Sequence, residues 1–389
     1  MGKFIPLSVP NFEGNEEKYV LDAVSQGWVS TGGAYVEKLE KKIAEYIEVP
    51  EAVACQSGTA ALHLSLIECG VGLGDMVIVP TLTFIAAVNP VAYVHAEPVF
   101  MDCDDSLCMD PVKLCSFCEN ECTLTEKGLI HNDSQKTVKA IIVVHVFGNM
   151  ADMEAIMTIA EEYHLKVIED ATEALGTYYE EGIYAGKMAG SIGDFGAFSF
   201  NGNKIITTGG GGMIVSHNEK ALKHLKYLST QAKDDSHFYI HHEVGYNYRM
   251  TNVQAAIGVA QMEELEEFIE RKNKNYDLYC ELLKSNSHAC ILGFRKGVRS
   301  NKWFYSLAVN RTDNSKDIKD YIYELQDKGI QTRPIWGLIH EQKPYQNSLC
   351  YKIEKARYYS ERIINIPCST NLTEDDIVNV IETIDFIMR

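Results

Sequence analysis

A chain of 389 residues with 46% apolar content is long enough for one large core and a second, smaller domain. A formal net charge of −18 argues against wholesale binding to nucleic acid or an anionic membrane, so an anionic ligand needs a locally basic pocket. No apolar run reaches the roughly 18 residues of a membrane span. The opening Met1-Gly2-Lys3-Phe4-Ile5-Pro6 has no signal-peptide pattern, and a cytoplasmic protein is expected. Eleven cysteines, an odd number spread along the chain, fit reduced thiols better than a disulfide framework.

In chain order, residues 15–27 predict an amphipathic helix on Tyr19, Val20, Ala23 and Val24, ended by Gly27. Gly32-Gly33 opens a second through Val36, Leu39, Ile43 and Tyr46. Residues 52–170 then alternate apolar strands (52–55, 76–79, 98–101, 140–144, 166–169) with helical patterns (59–69, 85–94, 153–163). Short buried strands alternating with helices predict a mixed, mostly parallel sheet covered on both faces. Ligands sit beyond the carboxyl ends of such strands. Residues 103–138 are expected to be an irregular, cysteine-rich insertion. Within it Cys108, Cys115, Cys118 and Cys122 offer four thiols, but there is one C-x-x-C and no histidine at ligand spacing, so buried thiols are preferred and no metal is expected.

An apolar run at 195–200 leads to Lys204, and residues 209–212 are four consecutive glycines. The glycines permit close backbone approach to whatever the lysine reaches. A lysine in a water-poor pocket becomes nucleophilic enough to form a Schiff base. Beyond strand 213–215, a long helix at 255–272, a strand at 303–309 and helices at 318–328 and 375–388 suggest a compact α+β unit. The expected division is a large domain, 1–255, and a small one, 256–389.

Three stretches point to one chemistry. Ser57-Gly58-Thr59 before a helix is an anion seat or a plain cap. Asp170, closing a strand, is a partner for a protonated pyridine nitrogen or a helix N-cap. Phe84 is a stacking ring or core. With Lys204, in that order on an α/β sheet, they are what pyridoxal phosphate requires.

The chain resembles the DegT/DnrJ/EryC/StrS sugar aminotransferases, of pyridoxal-phosphate fold type I. The resemblance rests on Ser57–Leu62, Glu169–Gly176, Gly193–Phe200, Lys204–Thr208 and Gly245–Arg249. It is most similar to the branch that aminates the 4-keto carbon of nucleotide-linked 2-acetamido-2,6-dideoxyhexoses, for bacillosamine and legionaminic acid. The resemblance implies that Lys204 carries the cofactor as an imine, Asp170 pairs with the ring nitrogen and Glu173 lies by the ring hydroxyl. It assigns the phosphate to Gly58, Thr59 and Ser199, with Asn247 from the neighbouring subunit of a homodimer, and the stacking ring to Phe84. The implied reaction is ping-pong transamination from L-glutamate through pyridoxamine phosphate, with the nucleotide, UDP or GDP, left open. Arg249, Arg299, Lys302 and Arg333 are candidates for the substrate's diphosphate, and Trp336 and His340 for the sugar pocket. Much of the family has glutamine where Glu173 stands, and many members have Gly-Glu-Gly-Gly at 209–212. The rivals are a dehydratase of the same fold, whose members replace the lysine by histidine, and a non-catalytic regulator that binds the cofactor.

Overall fold

The computed structural model describes residues 3–235, 237–310 and 316–388. The Asn310–Thr312 glycosylation sequon, a chance match in sequence, falls partly outside them. Sixteen strands are present among the described residues. The first ten are β1 (Glu51–Cys55), β2 (Asp75–Pro80), β3 (Glu97–Met101), β4 (Cys122–Thr125), β5 (Gly128–His131), β6 (Thr137–Val144), β7 (Lys166–Asp170), β8 (Tyr178–Tyr179), β9 (Phe195–Ser199) and β10 (Gly212–Ser216). The rest are β11 (Ala289–Ile291), β12 (Val298–Arg299), β13 (Tyr305–Val309), β14 (Arg333–Pro334), β15 (Leu349–Tyr351) and β16 (Ile363–Ile366).

The main sheet runs β1-β10-β9-β7-β6-β2-β3-β15. On this path β10 alone runs against the others. The central strands are apolar on both faces because helices cover both: Val77, Ile78, Val79 and Ile141, Ile142, Val143 are all fully buried. The helix Gly58–Glu68 is buried from Ala60 to Leu66, which explains its lack of an amphipathic stripe. A smaller antiparallel sheet, β11-β13-β16-β14, packs with helix Ile318–Asp327, which in turn contacts helix Glu374–Met388. Strand β15 returns from this C-terminal part to the edge of the main sheet beside β3. No helix among the described residues is long and apolar enough to cross a membrane.

Three expectations need correction. Residues 103–138 are ordered structure, not an irregular insertion. A helix, Pro111–Glu121, is started by Asp110, whose carboxylate accepts from the Val112 and Lys113 N–H groups. The β4–β5 hairpin then pairs with the start of β6. Its thiols serve packing: Cys103, Cys108, Cys118 and Cys122 are buried, and burial pushes the Cys108 and Cys122 thiols up to about 12. The single helix expected at 85–94 is instead a 3-10 turn, Ile85–Ala87, followed by a short helix, Asn89–Tyr93. Pro90 lacks the N–H that would join them. The long helix spans Asn252–Leu283, eleven residues past the expected end, because Tyr276, Tyr279 and Leu283 continue its buried face. A capping box between Thr251 and Gln254 starts it.

Candidate active site

The carboxyl ends of β1, β7 and β9 meet where the antiparallel β10 begins. Gly212 opens β10 opposite both Cys55 and Ser199. A Cβ on it would lie 2.4 Å from the carbonyl carbon of Ser57, so only glycine lets the turn after β1 fold across the strand. That turn ends at Ser57, whose hydroxyl accepts from Ala60 N–H at 3.1 Å and caps the helix Gly58–Glu68. Its first N–H groups have no acceptor within the helix and carry the positive end of its dipole. Gly58 is pressed against the site: a Cβ there would meet Thr172 Cγ2 at 2.8 Å and Ser199 Cβ at 3.0 Å. This leaves a cradle for an anion.

Lys204 follows β9 in a tight loop held by Lys204 N–H to the Asn201 carbonyl at 3.0 Å and Thr208 N–H to the Phe200 carbonyl at 2.9 Å. The Trp303 indole N–H donates to the Asn203 carbonyl at 2.6 Å. Its ring lies under the lysine, with Nζ 4.0 Å from the ring centroid. On the other side Nζ is 3.6 Å from Glu173 Oε1. The Lys204 side chain is 12% exposed, so water has little access to the amine.

Asp170 closes β7, and its carboxylate accepts from Thr172 N–H at 3.1 Å. Burial pushes its carboxyl up, against the Thr172 hydrogen bonds and the charge of Lys204. Burial also pushes Glu173 up, to about 7, with Lys204 and the Phe147 N–H opposing and Asp170 adding to it. Glu173 Oε2 accepts from Phe147 N–H at 2.8 Å. Asn301 Nδ2 ties down the Glu173 carbonyl at 3.0 Å and that of Leu175 at 2.9 Å. Glu169, one residue before Asp170, accepts from His145 and from three backbone N–H groups of residues 190–193.

A cavity of about 390 Å³ collects Gly58, Thr59, Phe84, Asp170, Glu173, Ser199, Lys204 and Trp336 from five separate segments. Phe84 is 55% exposed at its rim. The other expected residues do not line it. Asn247 is exposed on the surface of its own chain. Arg249 Nη2 donates to Gln231 Oε1 at 3.3 Å, and its Nε is buried without a partner. Arg333 is exposed, and among the described residues its side chain bonds only the Thr332 carbonyl, at 3.0 Å. His340 Nδ1 is 2.6 Å from Thr81 Oγ1. Arg299 is committed to the Gly176 carbonyl and Glu266, and Lys302 to Asp277 and the Tyr276 ring. Trp303, Phe304, Thr172 and the Phe147 amide complete the site without having been singled out in sequence. Thr172 lies inside the Glu169–Gly176 stretch, but no local motif marks the others, which arrive by tertiary packing.

The residues present fit pyridoxal phosphate. A buried carboxylate, an amine and the start of a helix whose first N–H groups have no partner within it line one cavity, as a ring nitrogen, an aldehyde and a phosphate require.

Comparison with known proteins bears on the same site. EpsN of Bacillus subtilis, assigned as a pyridoxal phosphate-dependent aminotransferase, is 37% identical over 99% of this chain and 96% of its own. The GDP-perosamine synthase of Caulobacter vibrioides is 36% identical over 99% and 98%. Spr1654 of Streptococcus pneumoniae, assigned as a sugar aminotransferase and solved in its PLP form, superposes with a TM-score of 0.87 at 26% identity over 99% of both chains. The profile of one family matches residues 10–385. The chain therefore belongs to the DegT/DnrJ/EryC1/StrS aminotransferase family, the pyridoxal phosphate-dependent sugar transaminases.

Proposed function

We propose that this enzyme transfers the amino group of L-glutamate to the 4-keto carbon of a nucleotide-linked 2-acetamido-2,6-dideoxy-4-hexulose. The product is a 4-amino sugar for glycans of the bacillosamine or legionaminic acid type, made in the cytoplasm. The observation that carries the transaminase chemistry is the Lys204 amine, held between the Trp303 ring and Glu173 in the same cavity as Asp170. Support for position 4 of the sugar comes from the GDP-perosamine synthases, which match nearly the whole chain at 36% identity.

When bound, the cofactor supplies the electron sink. Asp170 holds a proton on the ring nitrogen, in a setting where burial disfavours a lone carboxylate and so favours the paired one. Lys204 removes a proton from the donor's Cα and delivers it to the neighbouring carbon, acting as base and then as acid. Trp303 and Trp336 wall off water. The helix start at Gly58 and Thr59, with Ser199, seats the phosphate. In the same reading Arg249, Arg333, Trp336 and His340 receive the sugar nucleotide, Asn247 serves the partner copy of a homodimer, and the chain divides into domains near residue 255.

The test is a coupled assay with UDP- and GDP-linked 4-keto-6-deoxy sugars, each with and without the 2-acetamido group. Amination of the acetamido sugars with the higher kcat/KM is expected. Turnover of GDP-linked sugar lacking that group, and of nothing else, overturns the acetamido assignment and leaves the transaminase chemistry standing.

A further inference from the structure

The cavity holds two carboxyl groups and one amine, yet a ring nitrogen requires only one carboxylate. Asp170 fills that role, and Glu173 is left beside the lysine. Its Oε1 is 3.6 Å from Lys204 Nζ, its Oε2 is fixed by Phe147 N–H at 2.8 Å, and its main chain is fixed by Asn301. Phe147 presents that N–H from a left-handed conformation, φ 56°, which a bulky non-glycine residue rarely adopts. The Glu173 side chain is 4% exposed, so water is a poor competitor for its proton.

We propose that Glu173 is the acid–base partner of Lys204, taking a proton from Nζ onto Oε1 and giving it back as the lysine alternates between acid and base. The inference rests on the transaminase reading of the site. The exchange balances without another reactant. An N–H bond of the ammonium breaks, an O–H bond forms on the carboxylate, and an ion pair becomes two neutral groups. The groups facing Glu173 are Lys204 from the loop after β9, Asp170 from β7, and the Phe147 N–H from the turn after β6. Only Lys204 and Asp170 carry charge. Burial brings the Glu173 carboxyl to about 7, close to the pH at which a relay works best. A glutamine at this position keeps the Phe147 bond through its amide oxygen but cannot hold the proton.

The experiment is a pH titration of the visible absorbance band of the cofactor-loaded enzyme, wild type against Glu173→Gln, with kcat and KM for glutamate measured alongside. Both proteins load cofactor and show a band. Below about pH 7 the two profiles coincide, because a protonated Glu173 and a glutamine are alike in charge. Above it the wild-type transition lies about one pH unit higher, a tenfold difference in proton affinity at the lysine nitrogen. The variant's kcat falls about tenfold while KM stays within about twofold. Glu173→Ala, which also strips the acceptor from Phe147, separates packing from proton holding. A purely structural role perturbs the alanine variant and leaves the glutamine variant like wild type. Coincident wild-type and glutamine profiles across the whole pH range overturn the proposal. Absence of a band from both proteins overturns the cofactor reading beneath it instead.

Discussion

His145 Nε2 lies 2.8 Å from Glu169 Oε2, both side chains are fully buried, and Glu169 is the residue before Asp170. Ala151 N–H donates to His145 Nδ1 at 3.2 Å, so the ring's proton sits on Nε2 and is donated to Glu169. The carboxylate also accepts from the N–H groups of Gly190 (2.9 Å), Ile192 (2.7 Å) and Gly193 (2.6 Å). Four donors on one buried carboxylate tie the 190–193 turn to the strand that bears Asp170.

Glu169→Gln turns one acceptor into a donor that faces donors, leaving buried groups unpaired at a cost of about 3 kcal/mol. Urea unfolding at neutral pH checks this. Burial alone would push the Glu169 carboxyl up, but His145 and the backbone N–H groups hold it below the usual 4.5. A depressed value contributes stability that is fully present above pH 4.5 and is lost as pH falls through the folded value. The gap between wild type and variant therefore narrows below about pH 4.5, and a constant gap down to acid unfolding contradicts the assignment.

Lys204→Arg keeps the charge and removes the nucleophile. The guanidinium stays protonated and cannot carry the cofactor covalently. Turnover drops by about a thousandfold or more. Borohydride treatment followed by peptide mass analysis finds the adduct at position 204 in wild type and none in the variant.

Gly58→Ala tests the cradle. The new Cβ meets Thr172 Cγ2 at 2.8 Å and Ser199 Cβ at 3.0 Å, so the turn must move by a few tenths of an ångström. Strain of this kind costs about 1–3 kcal/mol. Displacement falls on the helix start, so cofactor affinity is expected to weaken about 10- to 100-fold. Fluorescence titration measures the loss, and unchanged affinity places the phosphate elsewhere.

Two of the arginines named as candidates for the substrate's diphosphate behave differently. Arg299 is bound to the Gly176 carbonyl at 2.7 Å and to Glu266, so Arg299→Ala lowers stability and leaves KM for the nucleotide sugar nearly unchanged. Among the described residues the Arg333 side chain bonds only a neighbouring carbonyl. Arg333→Ala is expected to raise that KM about tenfold, the value of one charge-assisted hydrogen bond. Steady-state kinetics on the pair decides between them.

The sheet was readable because its strands are short runs of β-branched residues between helical periods, and 153–163 matches Met153–Tyr163 residue for residue. The hairpin β4–β5 was not, because its strands have four residues each and a Cys-Thr-Leu-Thr sequence with one buried position, too little for a period to register. Its preceding helix did carry a local signal, Asp110 followed by Pro111, the pattern of a cap and first turn. In the site, residues contributed by motifs (Gly58, Asp170, Lys204) could be picked out from sequence. Those contributed by packing could not. Nothing around Trp303 announces that its ring will lie under Nζ, and a left-handed phenylalanine such as Phe147 is against the expectation for a bulky residue. For His340 the structure adds a neighbour that no sequence pattern gives, the Thr81 hydroxyl 2.6 Å from its Nδ1.

Asn247 provides the last prediction. It lies outside the cavity of its own chain, in the segment joined to Thr230 by an isolated bridge. Exposed apolar side chains, Phe238, Tyr239 and Val244, crowd the same segment, as expected of a surface that another copy covers. If Asn247 completes a partner's phosphate seat, two defective chains can repair each other. Lys204→Ala has no amine but an intact Asn247, while Asn247→Ala has the amine and a weakened seat. In a mixed dimer one site combines both lesions and the other has neither. Random mixing makes about half the dimers hybrid, so activity should rise to about a quarter of wild type at limiting cofactor. If Asn247 acts within its own chain, no native site forms and mixing adds nothing to the activity of Asn247→Ala alone. Refolding the two variants together and assaying at low cofactor distinguishes these outcomes.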